Sequence, residues 1–402
     1  MDKLLKNLAV FMMLMVMSSC GDGIVGYAIH NLKTDNRMRR YNFNEGVEDD
    51  TIRFVINDRN QMLLRAKVNE VEDTVLYDSG AGLPFVQFYT EETKPEGMKF
   101  YHIPLMGADQ KTKAYMTTIP VHIETPMCIV EHFGNAMLVE NTNTCEKEPS
   151  IDAYNIIGFP GLNMSPYCIN FTKNQMYNID DMSAIDTTEY VPVKCKFDNM
   201  LNVMFVYPVI NGEEYECVFD TGNGGGLLLL DEQRVENHTD VDLVYEGSYG
   251  KAIGGFTGEQ HFVVAPETTV GFAGREETVP VMYLEGNLAY NNMGFQYIKR
   301  FDWIIEHRSN KSNVDADEII HRMYAKPHAA DTMEYQKKNY SLTTADGTLK
   351  IALRLLDGNE RFKVGDQIVS VNGVTITEEN ICHYYDLLTE HQDWSEYGIK
   401  VK

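Results

Sequence analysis

Apolar stretches along this chain are short, and the turn and acidic residues that close them fall at regular places, as strands ending in loops do. Two stretches read alike. Val68 to Gly82 is VNEVEDTVLYDSGAG, and Ile210 to Gly224 is INGEEYECVFDTGNG. Each opens on an apolar residue and Asn, passes through an acidic turn, and enters an apolar strand, Thr74 to Tyr77 or Glu216 to Phe219. Both strands end at Asp-Ser/Thr-Gly. Asn69 precedes Asp78 by nine residues and Asn211 precedes Asp220 by nine, so turn, strand and acid keep one register.

A second pair of markers follows. Asn155-Ile156-Ile157-Gly158-Phe159-Pro160-Gly161-Leu162 puts a glycine 80 residues after Asp78, and Asn292-Met293-Gly294-Phe295 puts one 74 after Asp220. Strand-like tails come next, Tyr167 to Phe171 and Phe301 to Glu306. The chain therefore reads as one β-rich unit of about 120–140 residues, used twice; that is too long for a solenoid repeat and too few copies for a propeller. A lone Asp-Ser/Thr-Gly is ordinary turn chemistry, in which the side chain bonds its own backbone. Two in register, each with a downstream glycine, are far more specific.

The first 20 residues have another pattern. Lys3 and Lys6 precede a ten-residue apolar core, Leu8 to Met17, and Ser18-Ser19-Cys20 follows. Ten residues rise only about 15 Å as a helix, half a bilayer's hydrocarbon thickness. The segment is an export signal and not a span.

Composition narrows the function classes. The 402 residues carry 35 Lys+Arg against 59 Asp+Glu, a net charge of −24, which argues against nucleic acid as a partner. Hydrophobic residues make up 44%, ample for two or three cores, so a disordered chain is excluded. The 11 histidines are scattered, with no HExxH and no Cys/His set at metal spacing; His122 and His132 read as structural. No metal and no cofactor is expected. Six cysteines besides Cys20 show no tight spacing, and in a chain of this size most are expected free and buried.

Near the C-terminus, Arg308 to about Met333 is polar and loosely patterned, as a linker is. Leu349 to Leu355 then alternates as a strand, and FKVGDQIVSVNG runs from Phe362 to Gly373. Val374 to Ile376 reads as a short strand, Glu378 to Glu390 as an amphipathic helix, and Gly398 to Lys402 as a closing strand.

These motifs carry three resemblances. Asp-Ser/Thr-Gly after an apolar strand, followed by an apolar-apolar-Gly element, resembles the aspartic protease fold. Each unit resembles a retropepsin-like lobe, and the pair resembles a two-lobed aspartic protease over roughly residues 50–307. The resemblance implies Asp78 and Asp220 as the catalytic pair, Ser79 and Thr221 as hydroxyls bracing the two loops, and Gly80 and Gly222 as close-approach, N–H-donating positions. Asn223 and Gly82 depart from that family's usual small residues. A mobile flap is implied over the cleft, at Tyr249 to Gly258 in the second lobe and Met106 to Lys111 in the first. The Phe362–Gly373 block resembles the core of bacterial PDZ domains, implying capture of peptide C-termini at a loop near Tyr340-Ser341-Leu342. The N-terminus resembles a bacterial lipoprotein signal, implying lipidation of Cys20 and an exported, membrane-anchored protein of the cell envelope, on the periplasmic face or cell surface.

The expected fold is mainly β, with tandem duplicated retropepsin-like β-barrel lobes followed by a small PDZ-like α+β domain. Its parts are a signal peptide at 1–20, a tether at 21–49, lobes at 50–187 and 188–307, a linker at 308–334 and the PDZ-like domain at 335–402. The expected activity is aspartic endopeptidase hydrolysis of polypeptides bound in extended conformation. The competing class is a non-catalytic envelope lipoprotein that binds peptides or proteins on the same scaffold. A third version is a processing protease whose segment within 21–50 blocks the cleft until it is removed.

Overall fold

The computed structural model describes every residue except 1–21, 34–39, 44–49, 105–112, 140–144, 146–153, 163–164, 185–186, 253–254, 258, 287–289, 309–319, 329–331, 345–346, 358–360 and 392. The export signal with Cys20 and the first-lobe flap tip Met106–Lys111 lie outside the described residues. The described chain is mainly β, as its alternation predicts.

Three large sheets organise it. The first has the strand order Arg40–Phe43, Cys128–Leu138, Phe85–Tyr89, Ile156–Gly158, Val71–Asp78, Met62–Val68, Lys113–Glu124, Tyr101–Pro104. Lys113–Glu124 also pairs with Cys128–Leu138, which closes the sheet on itself. The second contains Val203–Val206, Cys217–Asp220, Asn291–Gly294, Leu227–Leu230, Arg275–Leu284, Gln260–Phe272 and Leu243–Gly247 in spatial order. A six-stranded sheet draws on both halves of the chain, in the order Val191–Val193, Ile320–Pro327, Phe301–Arg308, Tyr167–Asn170, Gln175–Asn178, Ile52–Arg53.

Local chemistry sets the two acid-bearing strands. Asn69 and Glu70 have φ of 48° and 68°, and Asn211 and Gly212 have φ of 50° and 87°. Two consecutive left-handed residues form the turn whose twist matches a β-hairpin. Val71–Asp78 then runs from an exposed start into a buried end, so its acid arrives inside the protein. Gly158 pairs with Asp78 and Gly294 with Asp220, in parallel strands and at the same register. Both glycines are needed. A Cβ on Gly158 would stand 1.9 Å from the Leu83 carbonyl oxygen, and one on Gly294 2.4 Å from that of Gly225.

One apolar core runs through both halves and the six-stranded sheet, joining Tyr77, Phe159, Phe219, Phe295 and Trp303. Trp303 is fully buried and its indole N–H donates to the Ile298 carbonyl at 2.9 Å, so its polar atom carries no desolvation penalty.

Two expectations need correction. The segment 308–334 is not simply a linker, because Ile320–Pro327 is a strand paired along its length with Phe301–Arg308. Among its residues with described side chains only Met323 and Ala325 are buried, too few to reveal a strand without its partner. The segment 21–49 is not simply a tether. Asp22–Lys33 is a helix that packs on Tyr101–Pro104, with Gly26 against the Tyr101 ring and the Tyr27 hydroxyl accepting from Asn135 at 2.6 Å. Most of the cysteines besides Cys20 are free, as expected: Cys128, Cys168, Cys195 and Cys217 are, while Cys145 and Cys382, 237 residues apart, form a disulfide that no spacing suggested.

The C-terminal residues have a core of their own, including Leu342, Ile351, Phe362, Val371, Leu388 and Trp394. They form the strands Tyr340–Thr343, Lys350–Leu355, Ile368–Val371, Val374–Thr375 and Lys400–Val401 with the helix Ile381–Glu390. Lys350–Leu355 also adds to the second sheet by pairing with Leu243–Gly247, and Arg354 forms an ion pair with Glu246 there. The C-terminal segment is therefore built into its neighbour.

Candidate active site

Asp78 and Asp220 are the last residues of the buried strands Val71–Asp78 and Cys217–Asp220, and the loops that follow them meet. Asp78 Oδ1 accepts from the N–H groups of Gly80 at 2.9 Å and Ala81 at 3.0 Å. Asp220 Oδ1 accepts from Gly222 at 2.9 Å and Asn223 at 3.1 Å. Each carboxyl is thus held by its own loop.

The loops are also locked to each other. Ser79 N–H donates to Thr221 Oγ1 and Thr221 N–H donates to Ser79 Oγ, both at 2.9 Å. The hydroxyls pass these bonds on: Ser79 Oγ donates to the Phe219 carbonyl at 2.8 Å and Thr221 Oγ1 to that of Tyr77 at 2.9 Å. Ser79 and Thr221 are wholly buried, so each group in this ring would be costly to leave unpaired.

The crossing brings the acids face to face. A Cβ on Gly80 would stand 2.4 Å from Asp220 Cγ, and one on Gly222 2.2 Å from Asp78 Cγ. Each glycine therefore makes room for the acid of the opposite loop. The two carboxyls are themselves in hydrogen-bond contact, and Asp78 is held well above the usual carboxylate range. Burial is the largest cause, followed by the charge of Asp220 and the bond to it; the N–H groups of Gly80 and Ala81 pull the other way. Two carboxyls this close share one proton. Such a pair can accept a proton from a water and donate one to an oxygen in the same encounter.

The structure thus assembles Asp78, Ser79, Gly80, Asp220, Thr221 and Gly222 at one place. Of the expected flap at Tyr249–Gly258, Lys251–Ala252 and Gly255–Phe256 pair as a small antiparallel hairpin, with 253, 254 and 258 outside the described residues. A cavity of about 690 Å³ lined by Thr90, Glu92, Phe100 and Tyr115, among others, contains neither aspartate. The carboxyl geometry defines the site and that volume does not. Among the described residues no group of three or more His, Cys, Asp or Glu side chains is placed to hold a metal ion, and no helix is long and apolar enough to cross a membrane.

Two residues seen in the sequence only as a marker, Asn292, and as a departure from the usual small residue, Asn223, reach the acids themselves. Asn292 Nδ2 donates to Asp220 Oδ2 at 2.5 Å, and Asn223 Nδ2 donates to Asn292 Oδ1 at 2.8 Å. By strand register Asn292 matches Ile156, while Asn155 matches Asn291. Asn155 and Asn291 do the same job, their Oδ1 atoms accepting from the N–H groups of Phe88 and Leu230. The signal in the sequence was the doubled Asn291-Asn292 where the first unit has Asn155-Ile156. No family model and no curated protein matches this chain.

Proposed function

We propose that this chain is an aspartic endopeptidase of two retropepsin-like lobes, using the Asp78/Asp220 pair and a water to hydrolyse peptide bonds in extended polypeptides. The observation that carries the reading is the mutual seating of the two carboxyls across Gly80 and Gly222 with the Ser79–Thr221 lock beneath. A solvated turn aspartate needs none of these long-range partners. A general acid and a general base at one point do.

In this reading the charged carboxyl takes a proton from water, whose oxygen attacks the peptide carbonyl. The protonated carboxyl gives its proton to the carbonyl oxygen as the tetrahedral intermediate forms. Gly80 and Gly222 let the two acids come together, since a side chain on either would collide with the opposite carboxyl. The hairpin of Lys251–Ala252 and Gly255–Phe256 is the flap that excludes water. The C-terminal segment is a PDZ-like module recruiting peptide C-termini, and lipidation of Cys20 anchors the exported protein to the cell envelope.

The test is cleavage of an unfolded protein substrate. Wild type cleaves, and Asp78→Asn or Asp220→Asn each abolishes cleavage, as does a pepstatin-like inhibitor. Cleavage surviving either substitution excludes the mechanism. Substrate binding without any cleavage by the wild type selects the non-catalytic binding protein instead.

A further inference from the structure

The two acid loops match in almost every contact. Each Oδ1 accepts two backbone N–H groups at nearly equal distances, and each carboxyl packs on the other loop's glycine. They differ at Oδ2. Asp220 Oδ2 accepts from the Asn292 amide, whereas the residues at the matching places of the first unit are Ile156 and Ala81, which have no polar side-chain atom.

The direction of this amide chain is fixed by backbone. Gly225 N–H donates to Asn223 Oδ1 at 2.9 Å, and a backbone N–H cannot act as an acceptor. Asn223 must therefore present its NH2 group to Asn292, whose Oδ1 receives it. That leaves Asn292 only its own NH2 to offer Asp220. A donor aimed at Oδ2 is satisfied by a carboxylate and is opposed by a proton on that oxygen.

We propose that Asn292, oriented by Asn223, is the positioning residue that assigns the shared proton, keeping Asp220 charged as the general base and Asp78 protonated as the general acid. The inference rests on the peptidase reading above. Water then gives its proton to Asp220 as its oxygen bonds to the carbonyl carbon, and the Asp78 proton moves to the carbonyl oxygen. On collapse the C–N bond breaks, the amine takes the proton from Asp220, and a hydroxyl of the intermediate returns one to Asp78. Among the described residues, the titratable groups that act on the pair are each other's carboxyl and, beside Asp78, the Tyr77 phenol, which is bonded to Tyr167 at 2.8 Å. Lys299, on the turn after Asn291–Gly294 and Phe295–Ile298, donates to Asn60 at 2.8 Å.

The experiment compares wild type with Asn292→Leu, which resembles Ile156, and with Asn223→Ala, which copies Ala81. Loss of the donor destabilises the charged form of the pair. The acid limb of kcat/KM therefore moves up by about one pH unit in Asn292→Leu, with kcat falling more than KM rises. Asn223→Ala moves it the same way by less, and covers the case in which Asn292→Leu does not fold. An infrared pH titration of the carboxyl bands reads the same shift without requiring turnover. An unmoved titration in a folded variant overturns the assignment while leaving the peptidase reading intact. Cleavage by Asp78→Asn or Asp220→Asn overturns that reading instead.

Discussion

Ser79 and Thr221, 142 residues apart, hold each other by two reciprocal hydrogen bonds of 2.9 Å in which each backbone N–H donates to the other's hydroxyl oxygen. Thr221→Val keeps the shape of the side chain but leaves the Ser79 N–H and the Tyr77 carbonyl without partners. Stranding buried polar groups costs about 1–3 kcal/mol each. A loss of stability of that order is expected in urea unfolding, and Thr221→Ser, which keeps the oxygen, should lose much less.

The glycine at position 80 is fixed by what lies opposite it. A methyl group there would sit inside contact distance of Asp220 Cγ, at 2.4 Å. Gly80→Ala is expected to push the carboxyls apart and remove hydrolysis. Gly271→Ala is the control, because its nearest neighbour would be an ordinary 3.8 Å away. Equal rates in both variants would show that the loops have slack.

Asp78 also makes stability depend on pH. Its folded carboxyl binds its proton more tightly than the unfolded chain does, first through burial and then through Asp220. That contribution is complete below the unfolded value of about 3.9 and disappears as pH rises through the folded one. Asp78→Asn, which cannot ionise, is therefore expected to melt higher than wild type at neutral pH, with the gap closing as pH is lowered. Melting curves across pH read this directly.

A second group acts in the opposite direction. His307 Nδ1 lies 2.7 Å from His321 Nδ1, with the rings stacked beside Phe197, and burial followed by the charge of His321 lowers His307 to about 3. A folded value below the unfolded one of about 6.5 gives stability that is full above pH 6.5 and lost as pH falls toward 3. The loss approaches about 1.4 kcal/mol per pH unit while only the unfolded chain is protonated. His307→Phe should flatten this acid slope in denaturant titrations between pH 6.5 and 4, and an unchanged slope would remove His307 as its source.

Much of the site is legible in order along the chain. Asp78 and Asp220 close apolar strands after hairpin turns, and Gly158 and Gly294 pair with them in register. Asn292 was visible only as part of a motif, because its importance lies in an amide 72 residues from the acid it touches. Ile320–Pro327 was hidden by its weak alternation, and the Cys145–Cys382 bridge by a separation that no spacing rule covers.

By itself the sequence determined which segments become strands, where their turns fall and which acids end them, since alternation and left-handed turn residues act within a few positions. Only the tertiary structure decided that the two acids confront each other, that two hydroxyls bind their loops together and that an amide favours one acid over its twin. Those contacts join residues brought together by burial and cross-sheet pairing, and such partners leave no local pattern for a chain to display.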